Sequence, residues 1–303
     1  MPIITVVGST NTDLVIQTPR FPEAGETIKG TDFKIFPGGK GANQAVAAAR
    51  LGAEVNFITK IGQDDFGKKA LQNFQSEGIK TDYILIDEHH PSGVALIEVD
   101  QQGQNCIVIS PGANGNLTVE DIKPITHIIE NSDVVLLQLE IPLQTVGFVM
   151  EIGSNSGSIV ILNPAPAEKM PVEYLKNISF ITPNQIEAEM LTGLSAPDQD
   201  TTFDWLMDKG VETVIITMGE KGAHFKSASD RGEVAGFKMK AVDTTAAGDA
   251  FNAGLAVAIA QGFSTREAIR FANAVGALSV TKMGAQPSLP SRVEVEKFLS
   301  INQ

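Results

Sequence analysis

The segment Asp243-Thr244-Thr245-Ala246-Ala247-Gly248-Asp249-Ala250-Phe251-Asn252-Ala253-Gly254 sets one carboxylate, Asp249, beside small residues where an apolar helix begins. From Ala250 to Ala260 the only polar side chain is Asn252, so the spacing predicts a helix buried on nearly every side. A charge in the first turn of such a helix has to be paired, capped or used. The free N–H groups and positive dipole end of that turn suit an anion. The chemistry on offer is phosphate binding beside a proton acceptor. The competing reading is that Asp is a favoured residue at helix N-termini.

Other segments carry polar groups at comparable places. Gly38-Gly39-Lys40-Gly41-Ala42-Asn43 opens a predicted helix that runs to Leu51. Its glycines let a ligand approach the backbone, and Lys40 and Asn43 offer donors to hydroxyl oxygens. Its spacing is neither that of a P-loop nor the G-x-G-x-x-G dinucleotide fingerprint. Asn11 and Asp13 fall on one side of the extended run Ser9 to Asp13, where an amide and a carboxylate can serve a polyol or cap a loop. Glu140 follows Leu136-Leu137-Gln138-Leu139 at another strand end, the place where open α/β sheets meet ligands. Asn184 and Glu187 have capping-box spacing, and they also suit water around magnesium, an ion that keeps several waters. Thr217-Met218-Gly219-Glu220-Lys221-Gly222 reads as a tight glycine turn after a strand.

The elements that must hold these residues alternate. Strand-like Val55 to Ile61 precedes a helical pattern over Asp65 to Glu77, and Val134 to Leu139 precedes Leu143 to Ile152. Ile159 to Leu162 and Thr213 to Met218 share the strand character, and the last third is mostly helical over 247–261, 265–280 and 293–299. This predicts an α/β fold, a doubly wound, mostly parallel sheet flanked by helices. Ser92 to Val99 and Asn105 to Ile109 read as a hairpin around Asp100-Gln101-Gln102-Gly103-Gln104. With the extended stretch from Thr12 to Phe36, they predict a small β-sheet lid over about 12–36 and 92–110, or else a pair of surface loops.

Composition removes several chemistries. A net charge of −13 disfavours nucleic acid and anionic membrane as partners, so any phosphate must be met locally. The lone Cys106 excludes an intramolecular disulfide framework and a cysteine-rich zinc site. Among His89, His90, His127 and His224 no pair has helical metal-ligand spacing. No charged leader and no membrane-length apolar run is present, which points to a reducing cytoplasm.

Taken in order, Asn11 and Asp13, the Gly38 to Asn43 run, Glu140, Asn184 with Glu187, Thr217 to Gly222, and Asp243 to Asp249 resemble the ribokinase family of pfkB-type carbohydrate kinases. The similarity runs nearly end to end and includes Asn163-Pro164-Ala165-Pro166-Ala167 and Gly284-Ala285-Gln286-Pro287-Ser288. It implies one ribokinase-like kinase domain over 1–303, a homodimer through the lid, and ATP-dependent phosphorylation of D-ribose at its 5-hydroxyl. By position, Asn11, Asp13, Gly39, Lys40, Asn43 and Glu140 would bind the pentose, with Asp249 as catalytic base. Asn184, Thr217, Met218, Gly219, Glu220, Lys221, Gly222, Gly248 and Asn273 would lie along ATP. A monovalent cation, usually potassium, would be met by Asp243, Thr245, Ser279, Lys282, Gly284 and Ser288, several through backbone carbonyls. Mg2+ would accompany the nucleotide, with Glu187 reaching it through water. Two departures from the wider superfamily stand out: Ala246 at a position that is often Gly, although members of the ribokinase family commonly carry Ala there, and Asn273 in place of a His near the adenine. The alternatives are a related kinase for another sugar or a nucleoside, and a catalytically silent sugar-binding homologue. A nicotinamide-dependent enzyme is the weakest, lacking the glycine fingerprint after the first strand.

Overall fold

A computed structural model describes residues 1–194 and 198–302. In chain order its strands are β1 (Ile3–Val7), β2 (Asn11–Gln17), β3 (Phe33–Gly38), β4 (Glu54–Gly62), β5 (Ile84–Asp87), β6 (Gly93–Val99), β7 (Asn105–Ser110), β8 (Val134–Leu137), β9 (Ile159–Leu162), β10 (Phe180–Ile181), β11 (Thr213–Thr217), β12 (Gly222–Ser227) and β13 (Arg231–Ala235). The helices are α1 (Lys40–Arg50), α2 (Asp65–Ser76), α3 (Val119–Ile122), α4 (Thr126–Glu130), α5 (Leu143–Ser156), α6 (Gln185–Thr192), α7 (Gln199–Asp208), α8 (Ala247–Ala260), α9 (Thr265–Ser279), α10 (Ala285–Ser288) and α11 (Arg292–Ile301).

The central sheet runs β13-β12-β11-β10-β9-β8-β1-β4-β5, parallel from β5 to β11 and antiparallel at β12 and β13. Its middle strands are continuous apolar runs such as Val134-Val135-Leu136-Leu137, as expected of strands covered on both faces. Side chains alternate between those faces. Val134 and Leu136 join a core with α1, α8, α9 and α11, whereas Val135 and Leu137 join a second core with α5 and α7. The doubly wound arrangement is thus as expected. The antiparallel edge strand β13 is an addition: its Arg-Gly-Glu-Val-Ala sequence carries little strand signal and is recruited by pairing with β12.

A separate four-stranded sheet, ordered β3-β2-β6-β7, forms the lid. β6 and β7 are the expected hairpin, and Asp100 fastens its turn by accepting from the Gln102 and Gln104 N–H groups at 2.9 Å each. Gly8-Ser9-Thr10 carries the chain from β1 directly into β2, so the strand carrying Asn11 and Asp13 starts at the end of a central strand. The inner face of the lid presents Asp13, Val15, Lys34 and Phe36 to a cavity, while the outer face aligns Ile35, Leu14, Leu96 and Val108 across all four strands. Val108 is 62 % exposed, so this outer face is apolar and open. Among the described residues no helix is long and apolar enough to cross a membrane.

Candidate active site

α8 and α9 pack closely because small residues line their contact; a Cβ added at Gly254 would lie 2.9 Å from Val275 Cγ2. This packing buries α8 and fixes its N-terminus, where the chain turns at Ala246 in a left-handed conformation (φ 62°). It is the one non-glycine among the described residues with positive φ, and such a backbone is held only where its surroundings over-determine it. Ala247 N–H donates to Thr244 O at 3.2 Å and Ala250 N–H to Ala246 O at 2.8 Å. Between them the Gly248 and Asp249 N–H groups have no protein acceptor among the described residues. The turn presents two amide donors and the helix dipole to one spot, an anion site by construction.

Asp249, 5 % exposed, does not cap the helix. Its Oδ2 accepts from Asn43 Nδ2 at 2.9 Å and its Oδ1 from Gln44 Nε2 at 3.0 Å. Both donors come from α1, whose approach depends on glycine. At Gly39 (φ 91°) a Cβ would meet Asn11 N at 2.6 Å, and at Gly41 it would meet Ser9 N at 2.5 Å. A Cβ at Gly38, the last residue of β3, would reach Asp13 Oδ2 at 2.2 Å. These glycines are therefore required by the protein's own packing. The space they leave is filled by the β1–β2 crossing and by the Asp13 carboxylate.

Charge is concentrated here. Glu140 accepts from Ser9 Oγ at 2.5 Å and from Lys40 N–H at 3.1 Å. Burial, with Glu140 and Asp249 nearby and Lys40 alone opposing them, pushes the Asp13 carboxyl up to about 7. Burial also pushes the Asp249 carboxyl up, against the pull of Lys40 and of the Asn43 and Gln44 amides. For Lys40 burial works downward, but Asp249, Glu140, Glu187 and Asp13 together hold its ammonium above the ordinary value. The site is a carboxylate cluster around one half-buried cation, Lys40. Asn11 accepts from Asn114 Nδ2 at 2.8 Å through its own Oδ1, which leaves its Nδ2 free to donate.

Two cavities flank the 243–248 loop. One, of about 490 Å³, lies under the lid and is lined by Asp13, Lys34, Phe36, Asp243, Thr245 and Gly284 among others. The other, of about 410 Å³, is lined by Thr217, Gly219, Glu220, Gly222, Gly248 and Asn273, with the apolar walls Phe237, Met239 and Phe251. Ala241 and Thr244 belong to both. Of the residues expected along a nucleotide, Met218, Lys221 and Asn184 do not line the second cavity. Met218 packs into the core behind β11, and Lys221 is exposed. Asn184 caps α6 in a reciprocal box with Glu187. Asn273 donates through Nδ2 to Val234 O and Ala235 O, both at 3.2 Å, so its remaining Oδ1 is an acceptor.

Of the residues expected around a cation, Asp243, Thr245 and Gly284 are brought together. Gly284 N–H donates to Asp243 Oδ2 at 2.8 Å, and Val242 N–H to Val280 O at 2.8 Å, which closes the 243–245 and 280–284 loops on each other. Although burial opposes it, donation from Thr245 and Gly284 holds the Asp243 carboxyl below the usual range. Lys282 Nζ bonds Glu294 at 3.0 Å, and Ser279 and Ser288 donate to Gly276 O and Ala285 O. One ionised carboxylate among serine, threonine and backbone oxygens is the donor chemistry of a hard cation, so the residues fit a monovalent ion. Glu187 is pushed up by burial and accepts from Asn184 N–H and Nδ2 at 2.9 Å each, leaving lone pairs for water but not for direct chelation. No group of three or more His, Cys, Asp or Glu able to hold a metal ion occurs among the described residues.

Sequence reasoning missed Gln44, Gln138, Ser9 and Asn114. Ser9, Gln44 and Gln138 lie in or beside apolar runs, where a buried polar group requires partners, whereas Asn114 sits in the glycine-rich turn Pro111 to Asn116 and gave no such signal.

Comparison with known proteins follows the same outline. The model of the pfkB family of carbohydrate kinases matches residues 1–292. The chain is 45% identical over 299 residues to a ribokinase of Haemophilus influenzae, covering 98% of each. To a deoxyribokinase of Salmonella typhimurium it is 40% identical over 304 residues, covering 99% of each. A solved structure of Arabidopsis thaliana ribokinase complexed with ribose and ATP superposes with a TM-score of 0.88 at 33% identity, covering 98% of both chains.

Proposed function

Since the chain belongs to the pfkB family of carbohydrate kinases, we propose that it transfers the γ-phosphoryl group of ATP to the 5-hydroxyl of D-ribose. The observation that carries this reading is Asp249, a buried carboxylate one residue from unpartnered amides at a helix N-terminus. Phosphoryl transfer asks for positioning and charge neutralisation more than for covalent chemistry. The Gly248 and Asp249 N–H groups would bind the oxygens on which charge develops. An alcohol holds its proton far above neutral pH, so Asp249 accepts it as the new phosphorus–oxygen bond forms. Its raised carboxyl makes it a stronger base for that task.

The pentose is assigned to the space beside Asp13, the one of its expected contacts Asn11, Asp13, Gly39, Lys40, Asn43 and Glu140 that lines the cavity beneath the lid. Asn11 donates, Asp13 accepts a hydrogen bond from a hydroxyl when ionised and donates one when protonated, and Lys40 balances the carboxylates. ATP is assigned to the other cavity, between the 217–222 turn and α9. There the Asn273 acceptor suits an exocyclic amine on the base. Magnesium would arrive with the nucleotide phosphates and screen their charge, with Glu187 limited to holding a water. Asp243, Thr245, Ser279, Lys282, Gly284 and Ser288 would hold a monovalent cation beside the anion site and so fix the loop that presents its N–H groups. The apolar outer face of the lid supports a homodimer formed lid to lid, and an exposed free Cys106 suits a reducing cytoplasm.

A coupled ADP-release assay with ribose, deoxyribose, fructose and adenosine tests the reading. Ribose should give the highest kcat/KM; preference for deoxyribose would move the assignment to the deoxyribokinase-like relatives. Repeating the assay in potassium and in tetramethylammonium tests the cation residues, for which equal rates would remove the role.

A further inference from the structure

Asp249 Oδ1 faces a second residue of α1 that the preceding assignment leaves without a role. Gln44 is fully buried, and its Nε2 donates both to Asp249 Oδ1 at 3.0 Å and to Asn163 Oδ1 at 3.1 Å. Its own Oε1 accepts from Gln138 Nε2 at 2.6 Å. Gln138 is also fully buried, and its Oε1 ends the chain with no donor, in space that exists because residue 8 is glycine. An ionised carboxylate only accepts, so Gln44 must turn its NH2 toward Asp249 and its oxygen toward Gln138. With both ends engaged, the amide cannot flip without leaving buried groups unpaired.

The other oxygen lies in different company. Oδ2 accepts from Asn43, whose own Oδ1 is buried with no partner, an acceptor that a ligand hydroxyl would satisfy. We propose that Gln44, braced by Gln138, is a positioning residue for phosphoryl transfer: it fixes the Asp249 carboxylate so that Oδ2 is the oxygen meeting the substrate hydroxyl. This rests on Asp249 being the proton acceptor. Gln44 also stabilises the ionised form of Asp249, on which Lys40 acts the same way and Glu140 the opposite way, with Asp13 and Glu187 the other charges facing it.

The test uses Gln44→Met, which keeps volume and removes both polar ends, and Gln138→Met, which touches Asp249 nowhere. For Gln44→Met, kcat with ribose should fall roughly 10- to 100-fold while KM for ATP and ribose affinity measured without nucleotide stay unchanged. The acidic limb of kcat should move up by about one pH unit. Gln138→Met should move kcat and that limb in the same direction by less, and the double variant should be no worse than Gln44→Met alone. An unmoved acidic limb in both single variants, or losses that multiply in the double variant, would overturn the proposal. So would parallel losses of kcat and ribose affinity, the mark of a purely structural defect. Full turnover in Asp249→Asn would instead remove the underlying reading, and the two failures are distinct.

Discussion

An aspartate at the mouth of an apolar helix would ordinarily cap it, yet both Asp249 oxygens are committed to amides from α1. That arrangement keeps a costly buried charge in one orientation, as a base requires and a cap does not. Asp249→Asn is isosteric and should fold normally while losing turnover by about 10²- to 10⁴-fold in a steady-state assay. Asp13 makes a second prediction. With an ordinary value of 3.8 in the unfolded chain and about 7 when folded, it binds a proton in the folded state alone across that window. Its contribution therefore favours folding on the acid side and is lost as pH rises from 3.8 toward about 7. The ligand-free protein should melt lower at pH 8 than at pH 5.5 in part for this reason. Asp13→Asn should flatten that slope and raise the pH 8 midpoint by at least about 2 °C, the shift that ~1 kcal/mol produces in a chain of this size; an unchanged slope in calorimetry would contradict the assignment. Asp249 stood out in the sequence because a charge beside apolar residues demands a reason, and Asp13 because it shares one side of an extended run with Asn11. Gln44 did not, since a neutral amide in Asn43-Gln44-Ala45-Val46 looks like ordinary helix until its partners just past β8 and β9 and in α8 are brought together.

At the scale of elements, periodicity located nearly every strand and helix that bears a site residue, because the apolar runs are long and the breakers clear. It failed where an element owes its form to a neighbour. β13 exists through its pairing with β12, and the left-handed turn at Ala246 is imposed by the loops around it rather than by alanine's own preference. The glycines before α1 have a further reason that no local pattern shows, since the protein's own backbone and the Asp13 carboxylate come close to them. Gly38→Ala tests that reason. Its methyl group must displace the Asp13 carboxylate, so ribose affinity should weaken at least about tenfold, or ~1.4 kcal/mol, with ATP affinity unaffected. Isothermal titration with each ligand alone checks the split, and equal weakening of both would refute it.

For the molecule as a whole, the alternation of strands and helices sufficed to foresee a doubly wound sheet, whereas the lid was visible only as two stretches that broke the rhythm. Their union is a long-range pairing of β2 with β6, which no local pattern encodes. The lid leaves Ile35, Leu14, Leu96 and Val108 in a row on its outer face, an apolar surface of the kind that marks an interaction site. On the proposed lid-to-lid homodimer, Val108→Asp should give a monomer in light scattering, with ribose affinity reduced because the lid loses its support; a monomeric wild type would dispose of the dimer. Ala241 and Thr244 form a party wall between the two cavities that the proposed function gives to the acceptor and the nucleotide. A shift of that wall on binding one ligand would be felt by the other. Any gain in nucleotide affinity caused by ribose must then be returned to ribose by the nucleotide in the same ratio, so order of arrival leaves a kinetic trace but no thermodynamic one.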